Sequence, residues 1–355
     1  MKMPFRVLLY CRAGFEKECA ADILDRTGQL GVHGHVRTLE GSGYVQWFPL
    51  GDDHDRVRDG LRFNDLIFAR QLVHVFADPG ALPPGDRLTP LMSAIRTSEL
   101  RFSDVILETA DTNEAKSLAP LLRGFAVPLR RALESANLIG HDGSPRLHVF
   151  FARGTSVLLG LSDRDNASPW PMGIPRLKFP RGAPSRSTLK LDEAFRVFVR
   201  HPELDLHPGM TAVDLGAAPG GWTWQLVQRH IRTIAIDNGS LDPALLDSGI
   251  VEHLRVDGFR YRPARPVDWL VCDMVEQPLR IAALIADWLT EGGCRRAIFN
   301  LKLPMKKRYQ CVKDCHALIF GRLAKARRPC RIEFRQLYHD RAEVTGHADC
   351  PSHRA

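Results

Sequence analysis

Residues Val213–Leu226 read VDLGAAPGGWTWQL. An apolar run ends in an acid, a loop of small residues follows, and a helix-like pattern begins at once. Gly216, Gly220 and Gly221 let a backbone approach a ligand closely, and Ala217 and Ala218 are nearly as small. The loop feeds a helix N-terminus, which favours negative charge. A pyrophosphate could use that end, and so could a carboxylate. A P-loop would add Lys-Ser/Thr to hold phosphates, and none is present. A dinucleotide loop would add a third glycine at fixed spacing, which Gly-Ala-Ala-Pro-Gly-Gly lacks. The methionine carboxylate of S-adenosylmethionine suits what remains.

Outward from this loop, helices and strands alternate from about residue 188. Apolar strands separated by helices predict a doubly wound, mainly parallel sheet. Ligands in such sheets sit beyond the carboxyl ends of the strands. Asp214, Asp237, Asp257, Asp273 and Lys302 lie at or near predicted strand ends. Asp237 is placed to accept from ribose hydroxyls, and Asp257 from an adenine amino group. Single acids at strand ends commonly serve as caps or turn residues, whereas a succession after a glycine loop suits a nucleoside.

Asp273 ends WLVCDM and Lys302 ends AIFNLKLP. Lys190 precedes the first strand of this region, and Glu343 lies in YHDRAEVT on the last segment. Two lysines and two carboxylates suit removal of a proton from a weakly acidic hydroxyl. Surface ion pairs are the plain alternative. Amino-group methylation of a base commonly uses Asn/Asp-Pro-Pro-aromatic, whereas the stretch here is Asp-Met-Val-Glu-Gln-Pro. Methylation at carbon 5 needs a nucleophilic cysteine, and strand alternation turns Cys272 away from the Asp273 side.

The 355 residues exceed what one core usually serves, so several domains are expected. Residues 1–80 alternate strands and helices in the manner of a ferredoxin-like α+β unit, and the proline-rich ADPGALPPGDR closes it. Residues 81–165 read as a second α+β unit. Residues 166–187 form a basic, proline-rich linker in which Arg176, Lys178, Arg181 and Arg186 are candidates for phosphate contact. Residues 188–355 form the ligand-binding domain.

Net charge is +8 with a pI near 9.2, which permits nucleic-acid binding. From Arg295 to Arg335 there are thirteen Lys or Arg against two acids, with Lys306, Lys307 and Arg308 in one run. No apolar run approaches the roughly 20 residues of a membrane span, and the N-terminus lacks a secretory pattern. A cytoplasmic monomer is expected. Its eight scattered cysteines, Cys311 and Cys315 included, are then expected to be reduced, with no metal site.

VDLGAAPGGW, VCDM and NLKLPMKKRY together resemble the RrmJ-type ribose 2′-O-methyltransferases. Adding GIPRLKFPRGAPSRSTLKLDEAF, DNG, DGF and RQLYHDRAEVT makes the chain similar to the RlmM family of bacterial 23S rRNA 2′-O-ribose cytidine methyltransferases. That resemblance implies a ferredoxin-like piece, a THUMP RNA-binding domain and a Rossmann-like class I methyltransferase domain. It also implies S-adenosylmethionine as donor, and a cytidine in the peptidyl-transferase region of 23S rRNA, free or in a pre-50S particle, as acceptor. The implied catalytic tetrad is Lys190, Asp273, Lys302 and Glu343, with Lys302 as general base. The implied donor contacts are Ser185, Ala218 to Gly221, Asp237, Asp257 and Asp273. The chain departs from the family at its end, where GHADCPSHRA carries Gly346 and Pro351 as breakers, so the closing strand is expected to be short or frayed. The competing readings are an RNA-binding assembly factor without chemistry, and a base methyltransferase acting on tRNA.

Overall fold

The computed structural model describes residues 5–351 and divides into two compact units, the first ending at Pro175 and the second starting at Arg176.

The first unit is built on one seven-stranded sheet in the order β2-β3-β1-β4-β7-β6-β5. Its strands are β1 (Arg6–Cys11), β2 (Gly34–Thr38), β3 (Tyr44–Pro49), β4 (Ala69–Ala77), β5 (Val105–Thr109), β6 (Arg146–Arg153) and β7 (Ser156–Ser162). Helices α1 (Glu16–Gln29), α2 (His54–Gly60), α3 (Leu88–Thr97) and α4 (Ala119–Ser135) complete it. The proline-rich stretch after Ala77 separates two segments of sequence, and the sheet joins them, because β4 pairs with β1 on one edge and β7 on the other. Leu91 and Ile95 of α3 and Leu129 and Leu133 of α4 pack on the strands of the second segment. Across the join, buried Glu108 accepts from Tyr10 Oη and contacts His148 Nδ1, both at 2.7 Å.

The second unit contains β8 (Thr211–Leu215), β9 (Arg232–Ile236), β10 (Val251–Leu254), β11 (Val267–Cys272), β12 (Cys294–Lys302), β13 (Arg331–Arg335) and β14 (Glu343–Asp349). Their order is β10-β9-β8-β11-β12-β14-β13, parallel except for β14, which runs antiparallel to both neighbours. Helices α5 (Thr188–Phe198) and α6 (Pro202–Asp205) precede β8, and α7 (Gly221–Val227), α8 (Pro243–Leu246), α9 (Pro278–Thr290) and α10 (Arg308–Lys325) lie between strands in sequence. The order turns back between β8 and β11, the strands carrying the glycine loop and Asp273. That switch point is where a ligand crevice opens in such sheets. This is the Rossmann-like arrangement expected from the sequence. Phe195, Trp222, Trp269 and Ile298 form the centre of one core beneath it.

Two expectations are corrected here. The closing strand is neither short nor frayed: β14 runs seven residues and is paired on both sides. Gly346 does not break it, because the glycine accommodates the Phe299 ring, which a β-carbon there would meet at 2.4 Å. The cysteines are also not all reduced. Cys330 and Cys350 form a disulfide, because the ends of β13 and β14 bring their Cα atoms to 4.1 Å.

Candidate active site

The glycine loop connects β8 to α7. Gly220 caps the helix at φ 116°, a backbone state that side chains rarely adopt, and a β-carbon there would meet Leu245 at 2.2 Å. Beyond the carboxyl ends of β8, β9 and β11 lies a cavity of about 610 Å³, within the usual range for small-molecule sites. Gly216, Ala218, Asp237, Asp257 and Asp273 line it, so five of the sequence-predicted donor residues converge. Ile236, Asn238, Phe259 and Met274 are among the other lining residues and were not foreseen as site residues. Pro219, Gly220 and Gly221 shape the turn without lining the cavity. Ser185 stands outside it too, with its Oγ 2.6 Å from Ser187 Oγ and both hydroxyls against Gly221.

Backbone amides fix the two acids. Asp237 Oδ2 accepts from Ala218 N at 3.0 Å and Oδ1 from Gly239 N at 2.7 Å. Asp257 Oδ1 accepts from Phe259 N at 2.9 Å. Each oxygen retains a lone pair for a ligand hydroxyl or amine. Asp214 behaves differently. It is fully buried, accepts from Thr223 Oγ1 at 2.7 Å, and burial pushes its carboxyl up to about 7. It ties the loop to α7 and does not line the cavity.

The tetrad residues meet at the next strand ends. Lys302 closes β12 and Glu343 opens β14, and the antiparallel register sets them opposite each other. Lys302 Nζ donates to Glu343 Oε1 at 2.6 Å and Asp273 Oδ1 at 3.1 Å. Lys190, on the first turns of α5, donates to Glu343 Oε2 at 2.6 Å and to the Asp273 oxygens at 3.3 and 3.4 Å. Burial pulls the Lys190 amine down, but Asp273 and Glu343 outweigh it and hold the amine above its ordinary value. Lys190 is therefore a fixed cation. Asp273 belongs both to this cluster and to the cavity wall.

Asn300 was not foreseen. It is fully buried, and its amide donates to Asp273 Oδ1 at 3.0 Å and to Glu343 Oε2 at 3.2 Å. Its carbonyl oxygen accepts from Thr345 Oγ1 at 2.8 Å, and Thr345 Oγ1 lies 2.9 Å from Asp340 Oδ2. One hydroxyl has one proton to give. Thr345 Oγ1 is thus shared between Asn300 and Asp340, and burial, with Glu343 and Glu193 nearby, pushes the Asp340 carboxyl up to about 8. Strand alternation could have revealed this chain, since Asn300 precedes Lys302 by two and Thr345 follows Glu343 by two. Cys272, beside Asp273, is fully buried and its thiol is pushed up to about 12 by burial, which makes it a poor nucleophile.

Arg176, Lys178, Arg181, Arg186, Lys306 and Lys307 are exposed, and Arg308 is half-buried at the start of α10. Met305 and Val275, next to these cations and to the cavity, are 93% and 86% exposed.

Three family descriptions match the sequence. They are RlmM ferredoxin-like domain over residues 3–73, ribosomal RNA large subunit methyltransferase M, N-terminal, over 86–163, and FtsJ-like methyltransferase over 183–286. The chain is 59% identical over 348 residues to ribosomal RNA large subunit methyltransferase M of Methylococcus capsulatus, covering 98% of each. It is 50% identical over 350 residues to that of Klebsiella pneumoniae, covering 96% of this chain and 95% of that one. The chain belongs to the ribosomal RNA large subunit methyltransferase M family. The FtsJ-like match includes Ser185, Lys190, the donor cavity and Asp273, and stops before Lys302 and Glu343. The β12–β14 register is what brings those last two residues to the others.

Proposed function

We propose that this protein transfers a methyl group from S-adenosylmethionine to the ribose 2′-oxygen of a cytidine in 23S rRNA, in the peptidyl-transferase region. The observation that carries the reading is the double position of Asp273, in the wall of the donor cavity and in contact with both lysines. A nucleoside donor and a hydroxyl acceptor would meet there. The fit of the donor rests on a glycine loop and two backbone-anchored carboxylates around one cavity of suitable size. Asp237 would hold ribose hydroxyls, Asp257 the adenine amine, and the loop amides the methionine carboxylate. When bound, the donor supplies an electrophilic methyl on a positively charged sulfur.

The residues of the chain handle the proton. With Lys190 held as the cation, Lys302 takes the hydroxyl proton at Nζ. It ends β12 and its side chain is 24% exposed against 15% for Lys190. Asp273 and Glu343 keep both amines in place, so that catalysis is mainly alignment. Ribose chemistry is favoured over base chemistry by the missing Pro-Pro-aromatic stretch after Asp273 and by the inert Cys272.

The exposed basic residues of the linker and of 306–308, with a THUMP domain in residues 81–165, would hold the RNA, either free or in a pre-50S particle. The protein would work in the cytoplasm as a monomer. Among the described residues no helix is long and apolar enough to cross a membrane. The test is methyl transfer from labelled donor to unmodified 23S rRNA, followed by digestion to nucleosides. Label in 2′-O-methylcytidine is expected, and label in a modified base would overturn the acceptor assignment.

A further inference from the structure

A second cavity in the second unit is larger than the candidate donor site. It measures about 830 Å³ and lies at the opposite end of the sheet, where β11 and β12 begin and β14 ends. Arg296 lines it and Lys302 ends the same strand six residues later, so the two openings lie on the order of 20 Å apart along β12.

The cavity is strongly cationic. Six arginines line it against two aspartates, Asp205 and Asp349. Arg296 engages both of those acids. Arg200, Arg295, Arg327 and Arg328 therefore face the cavity with no ion pair among the described residues. Arg296 is 3% exposed, and its remaining Nη1 is buried with no hydrogen-bond partner among the described residues. At the rim, Phe320 of α10 is 59% exposed, an aromatic face beside the arginines. Cations that track a phosphate chain next to an exposed ring on which a base can stack are the means of holding nucleic acid, and a small anion would have no use for the ring.

We propose that this arginine-lined cavity is a second contact for the RNA substrate, one that seats backbone phosphate among Arg295, Arg327 and Arg328 while a neighbouring base stacks on Phe320. The inference rests on the reading of 23S rRNA as substrate. Nucleoside analysis with the wild-type protein tests that reading separately.

The experiment compares the full-length protein with Arg295→Ser/Arg327→Ser/Arg328→Ser and with Phe320→Ala. RNA affinity is measured against potassium chloride with unmodified 23S rRNA. The triple variant is expected to lose about 2–3 units from the salt slope and to raise KM for RNA by roughly tenfold or more, with kcat within about twofold. Phe320→Ala is expected to weaken binding equally at every salt concentration, with the slope unchanged. Should the triple variant fail to fold, Arg327→Ser, at an exposed position, is expected to lower the slope by about 0.7–0.9. An unchanged slope in a folded variant overturns the proposal. If that variant also loses a stabilisation of the wild type by inorganic phosphate, the cavity is a small-anion site and the RNA assignment falls.

Discussion

Asn300 adds a third bridge between two carboxylates that Lys190 and Lys302 already join. Replacing it with alanine removes two donated hydrogen bonds and frees Asp273 and Glu343 to shift. Misplacement on the scale of 1 Å in such a site costs roughly 10²-fold in rate. Asn300→Ala is expected to lower kcat by about that factor, with a smaller loss of calorimetric affinity for S-adenosylmethionine, since Asp273 also lines the donor cavity. Lys302→Ala is expected to lose about 10²–10⁴-fold in transfer with donor binding intact. Retained transfer in that variant would remove Lys302 from the role of base. Asp340 has a folded-state value near 8, above the ordinary carboxylate value of 3.8. The folded protein therefore binds a proton that the unfolded chain releases between those limits. The Asp340 contribution is fully present below about pH 4 and is lost as pH rises through 8. Asp340→Asn is expected to flatten that part of the stability–pH curve in urea titrations. Asp273, Lys302 and the acids of the donor cavity were legible as residue types at strand ends, whereas Lys190, before the first strand, and Glu343, on the last segment, were singled out with the help of the family resemblance. Asn300 and Thr345 had only one signal, their two-residue spacing from Lys302 and Glu343, and a polar residue inside a strand reads as ordinary until its register partner is known.

At the scale of elements, β14 decides whether the tetrad is complete. Its glycine is the point where the sequence misleads: in isolation Gly346 and Pro351 read as the end of pairing. In the sheet Gly346 lies opposite Phe299 of β12 and Phe334 of β13, and makes room for the Phe299 ring. Gly346→Val is therefore expected to destabilise the protein by about 1–3 kcal/mol, the usual cost of overpacking a core, as read from the urea midpoint. It is also expected to lower kcat more than donor affinity, since Glu343 begins the same strand. Most other elements were legible. The strands from β8 to β12 are apolar runs bounded by turn residues, and α5, α7 and α9 follow their own periodicity. Helices α2 and α6, seven and four residues long, were missed because segments so short carry almost no periodic signal.

At the scale of the molecule, net charge says little and its placement says more. Replacing Arg176, Lys178 and Arg181 together is expected to weaken RNA binding and to lower the slope of log affinity against log salt by about 2–3. An unchanged slope would leave residues 176–187 as a connector. The sequence announced two α+β segments before the linker, but not that they share a sheet. The pairing of β4 with β7 links positions such as His74 and Leu161, a distance along the chain that local pattern cannot read. The same separation governs the other unit. Lys190 and its partner Glu343 are 153 residues apart, and β14 enters the sheet between β12 and β13, both made before it. During synthesis the donor cavity can therefore close long before the acceptor side does. A nascent chain halted near residue 340 has every donor residue in hand and lacks the acid that positions both amines. On the proposed assignment, catalytic competence would arrive only when β14 has left the translating ribosome and found its slot.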